Sequence, residues 1–106
     1  MDVDAKNLLK RLKSTGIPAA HNVFLQKQNP PYLIYRDDET DIIAANSKAI
    51  LKKQRIVIEL YAAPTAITLS EATVENLLDT FTTYTKSRTF DEAEQHYVTY
   101  YQFYLR

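Results

Sequence analysis

Apolar residues in this chain change period from one stretch to the next, and the changes mark its elements. The clearest is Arg55 to Tyr61, RIVIELY, where Ile56, Ile58 and Leu60 share one face at period two and Arg55, Val57, Glu59 and Tyr61 share the other. One face of this strand belongs to a core. The opposite face mixes charge with apolar bulk, so it meets water along part of its length and another element or subunit along the rest. Its mid-chain position suits the central strand of an antiparallel sheet. Val3 to Lys13 carries a different rhythm: Ala5, Leu8, Leu9 and Leu12 recur at three- and four-residue spacing, with Lys6, Lys10, Arg11 and Lys13 elsewhere on the wheel. This predicts a short amphipathic helix, capped by Asp2 or Asp4 and stopped by Gly16 in a left-handed conformation ahead of Pro18.

Ala20 to Leu25 is a weak strand candidate, and Gln26 to Pro31 is a polar connection. Proline cannot donate to a ladder, so the next strand, Tyr32 to Arg36, starts after Pro31. Asp37 to Asp41, DDETD, reads as a turn or loop. Ile42 to Gln54 shows no sustained helical period and reads as an extended hairpin arm with its tip between Asp38 and Lys48. Beyond Pro64, Val74, Leu77, Leu78 and Phe81 form one helical stripe, leaving Glu71, Glu75, Asn76, Asp79 and Thr80 outside it. Two starts compete for this helix: Ser70 as cap with Leu69 and Val74 as staple, or Thr68 with Glu71 as a capping box. Lys86 to Phe90 and His96 to Leu105 are the last strands, joined by an acidic turn at Asp91 to Glu94. The final run, HYVTYYQFYL, is apolar or aromatic on both faces, as for an internal strand or one covered by a neighbouring subunit. The expectation is an α+β fold in order α-β-β-β-α-β-β, with an antiparallel sheet of about four to five strands and two helices.

Composition narrows the class. A chain of 106 residues suits a single domain over 1–106. Thirteen basic and thirteen acidic side chains cancel, so no whole-molecule attraction to nucleic acid or anionic membrane arises. With no cysteine there is no disulfide framework, thiolate metal site or cysteine nucleophile. No apolar run approaches the roughly 20 residues of a membrane span, and the acidic start is unlike a signal peptide. The expected setting is the cytosol, or release with its contents. Eight tyrosines and four phenylalanines favour surfaces that meet other surfaces.

Catalytic signals are weak. His21 and His96 are the only histidines, and neither has a metal-ligand spacing. DDETD lacks the glycine and spaced ligands of a calcium loop. A single glycine rules out a glycine-rich phosphate loop, and no serine sits in a nucleophile-elbow sequence. No enzyme activity, catalytic residue, metal or cofactor is expected. The basic run Lys48, Lys52, Lys53 and Arg55 could track a phosphate backbone while Tyr32 and Tyr35 stack on bases, which leaves a small nucleic-acid-binding module as the alternative.

The segments PPYLIYRDD (Pro30 to Asp38), AANSKAILKKQRIVIELYAA (Ala44 to Ala63), VENLLDTF and EAEQHYVTYYQFYL together resemble small tail-completion, or head-to-tail joining, proteins of long-tailed non-contractile bacteriophages and of prophages of Gram-positive bacteria. The resemblance spans nearly the whole chain and is least close over DIIAANSKAI. It implies a structural virion protein at the head–tail interface, present in host cytoplasm during assembly. Its implied partners are itself, in a ring of six subunits, a head-completion or connector protein, and the tail tube protein. Non-specific contact with DNA in the channel is also implied, with no membrane and no cofactor. On this reading Lys48, Lys52, Lys53 and Arg55 face a channel or neighbour, and Tyr101 and Phe103 on the two-faced strand lie at an interface.

Overall fold

The structure, a computed structural model, describes residues 5–45 and 49–105, with side chains described for 7–37 and 54–105. Helix α1 (Ala5–Lys13) leads into strand β1 (Ala19–His21), then β2 (Tyr32–Ala45), β3 (Ala49–Ala62), helix α2 (Ile67–Leu78), β4 (Thr85–Asp91) and β5 (His96–Leu105). The element order is the one expected from sequence. The five strands form one sheet in the order β1-β2-β3-β5-β4, so RIVIELY does lie on the central strand. The sheet is mixed, however. Strand β1 runs parallel to β2, with Ala19 opposite Leu33 and His21 opposite Tyr35, while the remaining pairs are antiparallel. A parallel neighbour needs a crossover, and the 22–31 segment supplies it.

Local chemistry accounts for the boundaries. Gly16 has φ +86° and its N–H donates to the Lys13 carbonyl at 3.1 Å, ending α1 in the left-handed turn that glycine allows. The Thr15 hydroxyl donates to the Leu12 carbonyl at 2.6 Å and accepts from the Ile17 N–H at 3.1 Å, which satisfies groups that the helix leaves open. Strand β2 begins at Tyr32, directly after the two prolines. The turn between β4 and β5 is closed by the Glu94 N–H on Asp91 Oδ1 and by the Gln95 side-chain amide on the Glu92 carbonyl.

Both helices pack on one face of the sheet. Leu8 and Leu12 of α1 and Ile67, Val74 and Leu78 of α2 meet Leu33, Ile56, Ile58, Leu60, Tyr101 and Phe103 in one core. At ~25 cal/mol per Å² of apolar surface, each fully buried side chain of this size contributes about 1.5–3 kcal/mol. Register carries the face along: Leu33 opposes Leu60, and Ile58 opposes Tyr101.

Three further expectations need correction. Asp37 to Asp41 is not a loop, because β2 runs through it with an irregularity between Asp37 and Thr40. Strand β5 pairs with β3 as far as Leu105 opposite Gln54, so among the described residues the pairs from Asp41 and Lys53 to Ala45 and Ala49 form a two-stranded ribbon. The start of α2 is also different: Ala66 is the N-cap residue without a side-chain cap, Ser70 is buried inside the helix, and Leu69 is 75% exposed. Neither a Ser70 cap nor a Thr68–Glu71 box forms.

The third correction concerns Glu71, expected outside the apolar stripe but only 4% exposed. It faces the sheet, where Arg88 donates to it through Nε at 2.9 Å and through Nη2, Thr99 donates its hydroxyl at 2.6 Å, and Lys86 Nζ lies 3.3 Å away. Burial raises the Glu71 carboxyl, but these donors outweigh it and hold the pKa down at about 2. Glu75, also expected outside, accepts the Tyr101 hydroxyl at 2.8 Å and meets Lys86 Nζ at 2.7 Å. Helix α2 is therefore fixed to β4 and β5 by charge as well as by apolar contact.

Candidate functional site

Side-chain alternation places Tyr32, Ile34 and Arg36 of β2, Arg55, Val57, Glu59 and Tyr61 of β3, and Tyr100, Gln102 and Tyr104 of β5 on the face opposite the core. No described helix covers that face. Most of these side chains are half-buried by one another, and Tyr104 is 42% exposed. The result is a broad surface of tyrosine and aliphatic side chains, interrupted by an ion pair between Arg36 Nε and Glu59 Oε2 at 3.0 Å. Exposed aromatic area of this kind is characteristic of surfaces that bind other macromolecules.

One end of the face is closed in by the 22–31 segment, leaving a cleft of about 690 Å³. Its walls include Phe24, Tyr32, Tyr61, Asp91, Glu94 and His96. The Tyr32 and Tyr61 rings stack at 4.6 Å, and Phe24 meets Tyr32 edge-on at 5.7 Å. Burial, together with the charges of Glu94, Glu59 and Asp91, pushes the Tyr32 hydroxyl above its ordinary value. The Tyr61 hydroxyl is raised by burial and by its 2.7 Å hydrogen bond to Glu59 Oε1. In both, burial is the larger cause, and neighbouring carboxylates add to it. His96, 7% exposed, packs edge-on against Tyr61, and its Nε2 has no hydrogen-bond partner.

A smaller polar cluster sits where the ribbon leaves the sheet. His21 Nε2 lies 2.6 Å from Asp37 Oδ1, Gln54 donates to Asp37 Oδ2 at 2.8 Å, and the His21 ring stacks on Tyr35 at 4.4 Å. The hydrogen bond from His21 is the main cause that lowers the Asp37 carboxyl. Among the described residues no three His, Asp or Glu side chains gather as metal ligands, and no described helix is long and apolar enough to cross a membrane.

The residues singled out from sequence scatter. Lys48 lies outside the described residues, and Lys52 and Lys53 fall on the ribbon part of β3 with side chains outside them. Arg55 occupies the open face opposite Tyr104. Tyr101 and Phe103, expected at an interface, are instead 0% and 2% exposed in the core beneath α2. Strand β5 is aromatic on both faces, so its own pattern does not say which face is which. The register with Ile56 and Ile58 decides it, and assigns the open face to Tyr100 and Tyr104.

No family model, no curated protein and no solved structure matches the chain.

Proposed function

We propose that this protein is a structural subunit of a phage head–tail junction, which completes the end of a long non-contractile tail and joins it to the head connector without turning over a substrate. The observation that carries the reading is the uncovered sheet face with Tyr32, Tyr61, Tyr100 and Tyr104, together with a ribbon that runs beyond the sheet. A large aromatic surface and an unsupported two-stranded ribbon both suit a chain that works in contact with others. The resemblance of its sequence segments to tail-completion proteins gives this contact its direction: copies of itself, a connector protein and a tail tube protein. Lys48, Lys52 and Lys53 would meet DNA in the channel only weakly and without sequence preference.

The test is complementation. In a phage lacking the gene, full heads and finished tails accumulate unjoined, and purified protein restores infectious particles. Tyr104→Asp, on the open face, keeps the wild-type circular dichroism and melting behaviour but fails to restore infectivity. Normal joining without the gene overturns the proposal and directs attention to nucleic-acid binding.

A further inference from the structure

The aromatic side chains lining the cleft form one row of contacts: Phe24 meets Tyr32 at 5.7 Å, Tyr32 stacks on Tyr61 at 4.6 Å, and Tyr61 meets His96 at 5.5 Å. Such a wall suits the aliphatic stem of a long side chain. Two further features mark the cleft as unfilled. His96 is buried, yet its Nε2 lacks a hydrogen-bond partner, and a buried polar atom of this kind gains from a ligand group that can bond to it. Leu25 lines the same cleft and is 99% exposed, so no described residue covers its apolar surface.

Charge and size narrow the occupant. Asp91 and Glu94 line the cleft from the β4–β5 turn and Lys27 lines it from the 22–31 segment, so carboxylates outnumber ammonium groups in its walls. After burial, the Glu94 charge is the largest cause that raises the Tyr32 hydroxyl, so its field reaches the aromatic wall. These carboxylates repel a phosphate backbone and favour a lysine or arginine side chain, with its stem along the rings and its cation at the turn. At about 690 Å³ the cleft has the size that takes a drug-sized ligand, more than one side chain fills. A small cation would also leave Leu25 bare. An extended stretch of a few residues both fills the space and covers it.

We infer that the cleft between the 22–31 segment and the β4–β5 turn binds a short extended segment of a partner protein, with a lysine or arginine at Asp91 and Glu94 and an apolar residue on Leu25. The inference goes beyond the proposed function, and its test does not involve joining.

The full-length protein is titrated with the capped synthetic peptide Ala-Leu-Lys-Leu-Ala, and amide and imidazole signals are followed by nuclear magnetic resonance. A second peptide carries glutamate in place of lysine. The lysine peptide shifts the His96 imidazole and the amides of Leu25, Tyr61 and Glu94 saturably, and the glutamate peptide binds at least about tenfold more weakly. Glu94→Lys and Leu25→Asp, both at exposed positions, each weaken the lysine peptide by at least about tenfold with unchanged melting curves, and Glu94→Lys takes the glutamate peptide better than wild type does. The comparison of peptides on wild-type protein stands whether or not a variant folds. Absence of saturable shifts at millimolar peptide, equal affinity for the two peptides, or failure of either folded variant to weaken binding overturns the inference. Lysine amide binding as tightly as the peptide overturns it as well, because the occupant is then a free small cation. If sedimentation velocity shows wild-type self-association that Glu94→Lys abolishes, the occupant is a second copy of this chain and the partner assignment falls. Head–tail joining that proceeds without the gene overturns the proposed function and leaves the titration result standing.

Discussion

Replacing Glu71 with glutamine keeps the shape of the side chain and removes its charge from the contact between α2 and the sheet. Two routes give the expected cost. From contacts, loss of one partner of a buried ionic group costs ~3–5 kcal/mol, but the Arg88 and Lys86 side chains are 41% and 36% exposed and recover water, which lowers the figure to about 2–4 kcal/mol. From ionisation, a carboxyl moved from its ordinary 4.5 down to about 2 in the folded state, at about 1.4 kcal/mol per pH unit, contributes roughly 3 kcal/mol. The two agree. Because the folded value is depressed, this stability is fully present above pH ~4.5 and is lost as pH falls toward ~2. Urea unfolding at pH 7 should therefore place Glu71→Gln about 2–4 kcal/mol below wild type. Between pH 5 and pH 2 the gap should close, since the wild type loses the contribution that the variant never had. Asp37, also lowered by its own partners, titrates in both proteins and cancels in the difference. A variant within about 0.5 kcal/mol of wild type at neutral pH, or a gap independent of pH, refutes the assignment of Glu71 as an ionic anchor.

Leu78→Ala removes a fully buried side chain and should cost ~2–5 kcal/mol in the same unfolding assay. Glu75→Ala takes the acceptor from the Tyr101 hydroxyl, which belongs to a residue with no exposure; a loss of about 1–3 kcal/mol is expected, and no loss would show that water replaces the carboxylate. Gly16→Ala adds a Cβ into open space, so its cost of about 1 kcal/mol comes from the left-handed backbone alone; an unchanged melting temperature would place that conformation within easy reach of alanine.

Legibility followed the range of the interactions that decide each element. Ile56, Ile58 and Leu60 alternate beside charged residues, so one glance along seven positions identifies both the strand and its inner face. Gly16 and the Pro30–Pro31 pair act on their immediate neighbours, and the ends of α1 and the start of β2 fall where they imply. Glu71 was illegible because its donors lie far along the chain, at Arg88 and Thr99, and a helical glutamate without known partners reads as solvated. The burial of Tyr101 and Phe103 is hidden for a related reason: with aromatics on both faces of β5, only pairing with β3 separates core from surface. Tyr100 and Tyr104 carry no local mark of their own, and only the cross-strand register assigns them to the open face. The direction of β1 was hidden because three residues, Ala19–His21, are too few to display a pattern.

The long β2–β3 ladder has a mechanical consequence. Hydrogen bonds between antiparallel strands lie perpendicular to the strand axes. A pull applied between the ribbon end and the opposite end of the sheet loads that ladder in shear, so many bonds must fail at once. A pull that peels β1 away meets its few bonds one after another, because it pairs with β2 only from Ala19 to His21. The chain should therefore resist tension along the β2–β3 ladder far better than tension that peels β1 from its edge.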